Sequence, residues 1–157
     1  MIIRPATPAD HTAIWRILGP VIRAGETYPL PRDMTQSVAL AYWTAPSHEV
    51  FVAEAEADIL GTYYIRPNQT GGGAHVANCG YLSAARGTAR AMAEHSFIQA
   101  RARGFTAMQF NFVIATNLRA IALWESCGFK TLCRLPAAYQ HPTAGYVDAL
   151  VMFQELG

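Results

Sequence analysis

Five consecutive residues in the middle of the chain, Arg86-Gly87-Thr88-Ala89-Arg90, have the types and the order needed to hold a phosphate. They follow a strand of small residues, Ala74 to Leu82, and lead into a helix. Apolar or small positions of that helix fall at Ala89, Met92, Ala93, Ser96, Phe97 and Ala100, the i, i+3, i+4, i+7 spacing of one helical face. Gly104, just after Arg101-Ala102-Arg103, is a fitting stop, because basic side chains favour a helix C-terminus and glycine tolerates the left-handed cap. A strand, a glycine-containing turn and a helix start make an anion site. The first-turn N–H groups have no partner inside the helix, and the aligned peptide dipoles leave that end partly positive. Arg86 and Arg90 add full charge beside it.

Other chemistries are less well supplied. Cys79, Cys127 and Cys133 are odd in number and lack CxxC spacing, so they indicate neither a disulfide framework nor a zinc site, and no metal is expected. They read as buried thiols in a reducing, cytoplasmic compartment. The formal charge of +1 gives no field strong enough to make nucleic acid or an anionic membrane the main partner. No apolar run approaches the ~20 residues that span a bilayer. The opening MIIRPATPAD has no signal-peptide core and reads as mature protein.

These residues must be positioned by a core, and 157 residues at 52% hydrophobic content allow one domain, residues 1–157. Met1 to Arg4 is a short strand. Thr7-Pro8-Ala9-Asp10 reads as an N-cap, a proline in the first turn and an early acid. Ile14, Trp15, Ile17, Leu18, Val21 and Ile22 form the buried face of the helix that follows. Gly25 to Pro31 breaks it, and Thr35 to Trp43 is a second short helix. Val50 to Ala55 and Ile59 to Ile65 are strands joined by a tight turn near Ala57-Asp58. Thr106 to Ile114 is another strand, with Met108, Phe110, Phe112 and Ile114 on one face and Gln109 and Asn111 on the other. A helix from Asn117 to Cys127 ends at Gly128, and strands Phe129–Leu135 and Val147–Glu155 flank a loop from Pro136 to Gly145. The order β-α-α-β-β-β-α-β-α-β-β predicts an α/β sandwich on a mixed sheet.

Two motifs now stand in register with known ones, and the chain resembles the GCN5-related N-acetyltransferase (GNAT) superfamily over essentially its whole length. The acetyl-CoA motif Q/R-x-x-G-x-G/A falls on Ala84-Ala85-Arg86-Gly87-Thr88-Ala89. The motif N-x-x-A-x-x-L-Y-E-x-x-G-F falls on Asn117, Ala120, Leu123, Trp124, Glu125, Gly128 and Phe129. Two positions depart from the pattern: Ala84 replaces glutamine or arginine, and Trp124 replaces tyrosine. The resemblance implies a mostly antiparallel sheet of six to seven strands, helices on both faces, and central strands that splay into a V-shaped slot because the first of them is bulged.

It also implies acetyl-CoA as co-substrate. The pyrophosphate would sit on the N–H groups of Arg86, Gly87, Thr88, Ala89 and Arg90. Main-chain N–H groups near Tyr81 and Leu82 would polarise the thioester carbonyl. Asn117 and Trp124 would border the pantetheine. An amine with a pKa of about 10 must lose a proton to attack, and the candidates near the slot are Glu26, in the loop that covers the acceptor site, and His75, which opens the central strand. Asn111 could position a water or the acceptor. Trp124 cannot serve as the acid that protonates the departing thiolate, since an indole N–H is too weak an acid; Tyr139 and Tyr146 are the substitutes at hand. The expected acceptor is a small-molecule primary amine such as an amino-acid-like compound, because Arg23, Arg32, Arg66 and His75 would suit a carboxylate. A protein N-terminus or lysine as acceptor, and a non-catalytic acyl-CoA-binding module, are the alternatives. The stripe Tyr146, Ala149, Val151, Phe153 raises the expectation of a homodimer.

Overall fold

The computed structural model describes residues 1–157. Its strands are β1 (Ile2–Pro5), β2 (Glu49–Ala55), β3 (Asp58–Pro67), β4 (Val76–Ser83), β5 (Ala107–Ile114), β6 (Lys130–His141) and β7 (Gly145–Glu155). The α-helices are α1 (His11–Ala24), α2 (Gln36–Trp43), α3 (Thr88–Ala102) and α4 (Leu118–Ser126). One sheet of seven strands runs in the order β1-β2-β3-β4-β5-β7-β6, as the motifs implied. Every neighbouring pair is antiparallel except β4 and β5. No helix is long and apolar enough to cross a membrane.

Helices cover both faces because strand side chains alternate and both faces are apolar. On one side Ile14, Leu18 and Ile22 of α1, with Ala39 and Trp43 of α2, pack on Val52, Tyr64 and Leu82. On the other, Met92, Phe97 and Ala100 of α3 join Trp124, Phe51, Tyr63, Met108 and Phe110. Trp43 is fixed as well as buried: its Nε1–H donates to Thr62 Oγ1 at 3.1 Å, and Thr62 Oγ1 donates to Phe51 O at 2.9 Å.

The C-terminal hairpin differs from the expectation. Residues 136–145 are mostly strand, not loop. Pro136 is tolerated because β6 is the sheet edge, where a missing N–H deprives no neighbour. The register slips between Leu135 and Tyr139, where Ala137 takes φ 49°. Asp148 holds that bulge, accepting from Ala137 N and Arg134 Nη1, both at 2.9 Å.

The splay also arises elsewhere than expected. β4 runs against β3 in unbroken register from Ser83 to Ala77, with no bulge. The extra residue lies in β5, between Phe110 and Val113 opposite β7. It breaks the alternation, so Val113, not Phe112, follows Met108 and Phe110 into the α3–α4 core. Phe112 turns instead toward Tyr139, with ring centroids 6.2 Å apart. A bulge bends its own strand. That bend carries β5 away from β4.

Candidate active site

Pairing between β4 and β5 stops after Val76↔Ala107 and Ala77↔Met108. Beyond this point Asn78 Nδ2 donates to Gln109 O at 2.9 Å, satisfying a carbonyl that the parting strands leave. The slot above it is a cavity of about 270 Å³. Its floor is Asn78 to Leu82. One wall is Phe110 to Ile114 with Asn117, Ala120 and Trp124, and the other is Thr27, Tyr28 and Pro29 with Tyr42, Tyr64 and Arg66.

The β3–β4 ladder decides which amides face that slot. Ala84 N–H bonds to Leu60 O and Asn68 N–H to Val76 O, both at 2.8 Å. In an antiparallel ladder the bonded pairs recur every second residue, so the amides of Gly80 and Leu82 point to β3. Those of Cys79 and Tyr81 point to the slot. The expectation for Leu82 is therefore corrected: its side chain lines the cavity, but its N–H is engaged across the sheet. Tyr81 supplies the slot-facing donor, its N–H directed at the Tyr28 hydroxyl oxygen. The Tyr81 side chain leaves by the opposite face, where its hydroxyl meets Ser96 Oγ at 2.6 Å.

At the end of β4 the chain turns into α3 through Gly87, at φ 84°, a left-handed conformation in which other residues are strained. A Cβ there would touch nothing, so the backbone angle, not crowding, demands glycine. Thr88 N–H turns back to Ala85 O at 3.4 Å, and the first i to i−4 bond is Ala91 N–H to Gly87 O at 3.3 Å. The amides of Arg86, Gly87, Ala89 and Arg90 have no main-chain acceptor. Arg86 is exposed beside them. Arg90 reaches across to Ser126 Oγ at 2.7 Å, tying the start of α3 to the end of α4.

Asn117 caps α4, its Oδ1 accepting from Ala120 N–H at 3.3 Å, and lines the cavity as well. Trp124 is 7% exposed, with ring centroids 4.9 Å from Tyr81 and 4.8 Å from Phe110. Asn111 is on the wall in a chain of amides: its Oδ1 accepts from Gln109 Nε2 at 2.9 Å, and its Nδ2 donates to Asn68 Oδ1 at 2.8 Å. The structure does not bring Glu26 or His75 to the cavity wall. Glu26 is exposed on the α1–α2 loop, which turns Tyr28 inward instead. His75 lies at the closed end of the slot, where its O accepts from Thr106 N–H and its Nδ1 lies 3.1 Å from Gly72 O. Nor do the two substitute acids reach the cavity: Tyr139 donates to Gly25 O at 2.5 Å, and Tyr146 is 71% exposed.

Of the four cationic residues expected at the acceptor mouth, only Arg66 is on the wall, and two wall residues, Tyr28 and Asn78, escaped sequence reasoning. The alternation of β4 could have marked Asn78, a polar residue between Ala77 and Cys79 on a buried strand. Burial pushes the Cys79 thiol up to about 12, so it stays protonated at neutral pH.

A cleft between parting strands, a slot-facing amide on its floor and an amide-lined loop at its mouth suit a long thioester with a diphosphate at its far end. The comparisons agree. The model of the acetyltransferase (GNAT) family matches residues 13–129. The chain is 30% identical over 151 residues to the N-acetyltransferase aca1 of Schizosaccharomyces pombe, covering 83% of this chain and 72% of that one. It superposes on a GCN5-related N-acetyltransferase from Kribbella flavida with TM-score 0.91 and 36% identity, over 98% of this chain and 96% of the other. A phosphinothricin acetyltransferase from Sinorhizobium meliloti, solved with acetyl-CoA, shares the fold at TM-score 0.84 and 19% identity, over 99% and 88% of the two chains. The chain belongs to the acetyltransferase (GNAT) family, the acetyl-CoA-dependent N-acetyltransferases.

Proposed function

We propose that this N-acetyltransferase acetylates a small primary amine bearing a carboxylate, an amino-acid-like acceptor, by direct attack on acetyl-CoA within a ternary complex. One observation carries the choice of acceptor. Arg66 is the single charged side chain on the cavity wall, and its Nε is buried without a hydrogen-bond partner. None of the chain's ion pairs involves it. A buried cationic donor left unpaired costs about 1–3 kcal/mol, and a carboxylate matches the guanidinium fork in charge and shape.

The wall's chemistry supports direct attack. The Cys79 thiol is held protonated and makes a poor nucleophile, which leaves the amine to attack the thioester carbon itself. The wall carries no carboxylate and no imidazole. The proton of the incoming amine therefore leaves through water, which the Asn68–Asn111–Gln109 amides can orient. Negative charge growing on the thioester oxygen meets the Tyr81 N–H, and the diphosphate rests on the amides of Arg86, Gly87, Ala89 and Arg90.

The test is thiol release from acetyl-CoA with paired amines, each amino acid set against its decarboxylated counterpart. Arg66→Gln is expected to raise KM for the carboxylated member by about tenfold or more and to leave the other unchanged. Equal effects on both members, or rates confined to a peptide substrate, would exclude the carboxylate reading.

A further inference from the structure

The oxyanion of an acyl transfer is usually met by two converging donors, and the ladder provides one, the Tyr81 amide. The hydroxyls around the cavity are mostly engaged. Tyr81 Oη is with Ser96, Tyr139 Oη with Gly25 O, and Tyr42 and Tyr64 face each other at 3.5 Å. Tyr28 remains. It lines the cavity, and its hydroxyl lies over the β4 floor so closely that a Cβ on Gly80 would stand 2.3 Å from Oη. Glycine at position 80 is what admits it. The ring is braced by Trp43, with centroids 5.9 Å apart, and Trp43 is itself fixed to Thr62. Behind the ring, Tyr139 holds the loop from β6.

We propose that Tyr28 is a catalytic residue whose hydroxyl donates a hydrogen bond to the thioester carbonyl oxygen of acetyl-CoA, completing a two-donor oxyanion site with the Tyr81 amide, which that oxygen shares with Tyr28 Oη. This rests on the reading that the amine attacks acetyl-CoA directly in this cavity. The amine lone pair forms the new C–N bond while the carbonyl π pair moves onto oxygen. That pair returns as the C–S bond breaks, and the thiolate departs with the bonding electrons. The amine proton passes to water, and Tyr28 keeps its own. Burial, reinforced by Tyr64 and Tyr42, raises the Tyr28 phenol well above its ordinary range, so it stays a donor throughout the working pH range. With Trp124 in the tyrosine position of the motif, the hydroxyl at the reacting end of the slot comes from the α1–α2 loop instead.

Tyr28→Phe keeps the ring and removes the donor. The expected result is kcat about 100-fold lower, with the calorimetric Kd for acetyl-CoA within about twofold of wild type. An infrared spectrum of bound ¹³C-carbonyl acetyl-CoA reads the contact without any amine, so it decides on Tyr28 even if the carboxylate reading fails. The carbonyl stretch is expected at lower wavenumber in the wild-type complex than in water, and to move back up in Tyr28→Phe. A kcat within about threefold of wild type, a stretch identical in both proteins, or an unshifted carbonyl in the wild type would overturn the assignment.

Discussion

Trp124 replaces the hydroxyl-bearing residue of its motif with an indole, enclosed by Tyr81 and Phe110. No proton can come from it at any working pH. Trp124→Phe should therefore lower kcat modestly through looser packing and leave both limbs of the pH–rate profile in place; loss of one limb would show that the indole takes part in proton transfer. The residues that now bear on the chemistry differ in how visible they were. Asn117 was legible twice, as a motif residue and as a helix cap, since both depend on near neighbours. Tyr28 was not marked, and Arg66 was marked only as one of four cations, because a tyrosine before a proline and an arginine ending a strand are ordinary surface features in one dimension. What makes them notable is a glycine 52 residues later, and a buried Nε that finds no partner.

At the scale of elements, short-range physics decided most outcomes. α1 begins where Thr7, Pro8 and Asp10 said it would, after one 3₁₀ turn at Pro8–Asp10. Asp10 is the anchor. Arg4 donates to both its oxygens at 2.9 Å and Thr7 N–H donates at 2.7 Å, and these contacts hold its carboxyl well below the usual carboxylate range. A carboxyl lowered in the folded state contributes stability above its ordinary value of about 3.9 and loses it as pH falls toward the lower folded value. Arg4 is partly exposed, so solvent screens the pair. Asp10→Asn should thus cost about 1–2 kcal/mol in urea unfolding at pH 7, with the gap to wild type closing as pH drops below about 4. Where elements defied the sequence, a bulge was responsible. The extra residue in β5 moved Phe112 out of the α3–α4 core, and the slip in β6 turned an expected loop into strand. A bulge is chosen by how two strands pack together, which neither strand records alone.

Across the whole molecule, the two ends of the chain meet over the active site. The β6 slip places Tyr139 so that its hydroxyl bonds Gly25 O at 2.5 Å and lies 3.5 Å from Tyr28 O, 111 residues away in sequence. The loop carrying Thr27, Tyr28 and Pro29 thus depends on the C-terminal hairpin. Tyr139→Phe, which removes about 1 kcal/mol of hydrogen bonding, should speed exchange of the Leu30 amide, bonded to Tyr28 O at 2.9 Å, several-fold. It should also raise KM for the amine while the α3 amides exchange as before. Unaltered exchange at Leu30 would mean that the loop holds itself.

Periodicity, caps, turn glycines and short motifs lie within windows of about a dozen residues, and from them come the order of helices and strands, the amide-lined loop at Arg86–Arg90 and the family likeness. Which β4 amide faces the slot, where the strands part, and the meeting of residues 28, 66, 80 and 139 were decided only in the folded chain. Each depends on strand register and long-range packing, and a one-residue slip in register would turn a strand's whole set of side chains to the opposite face.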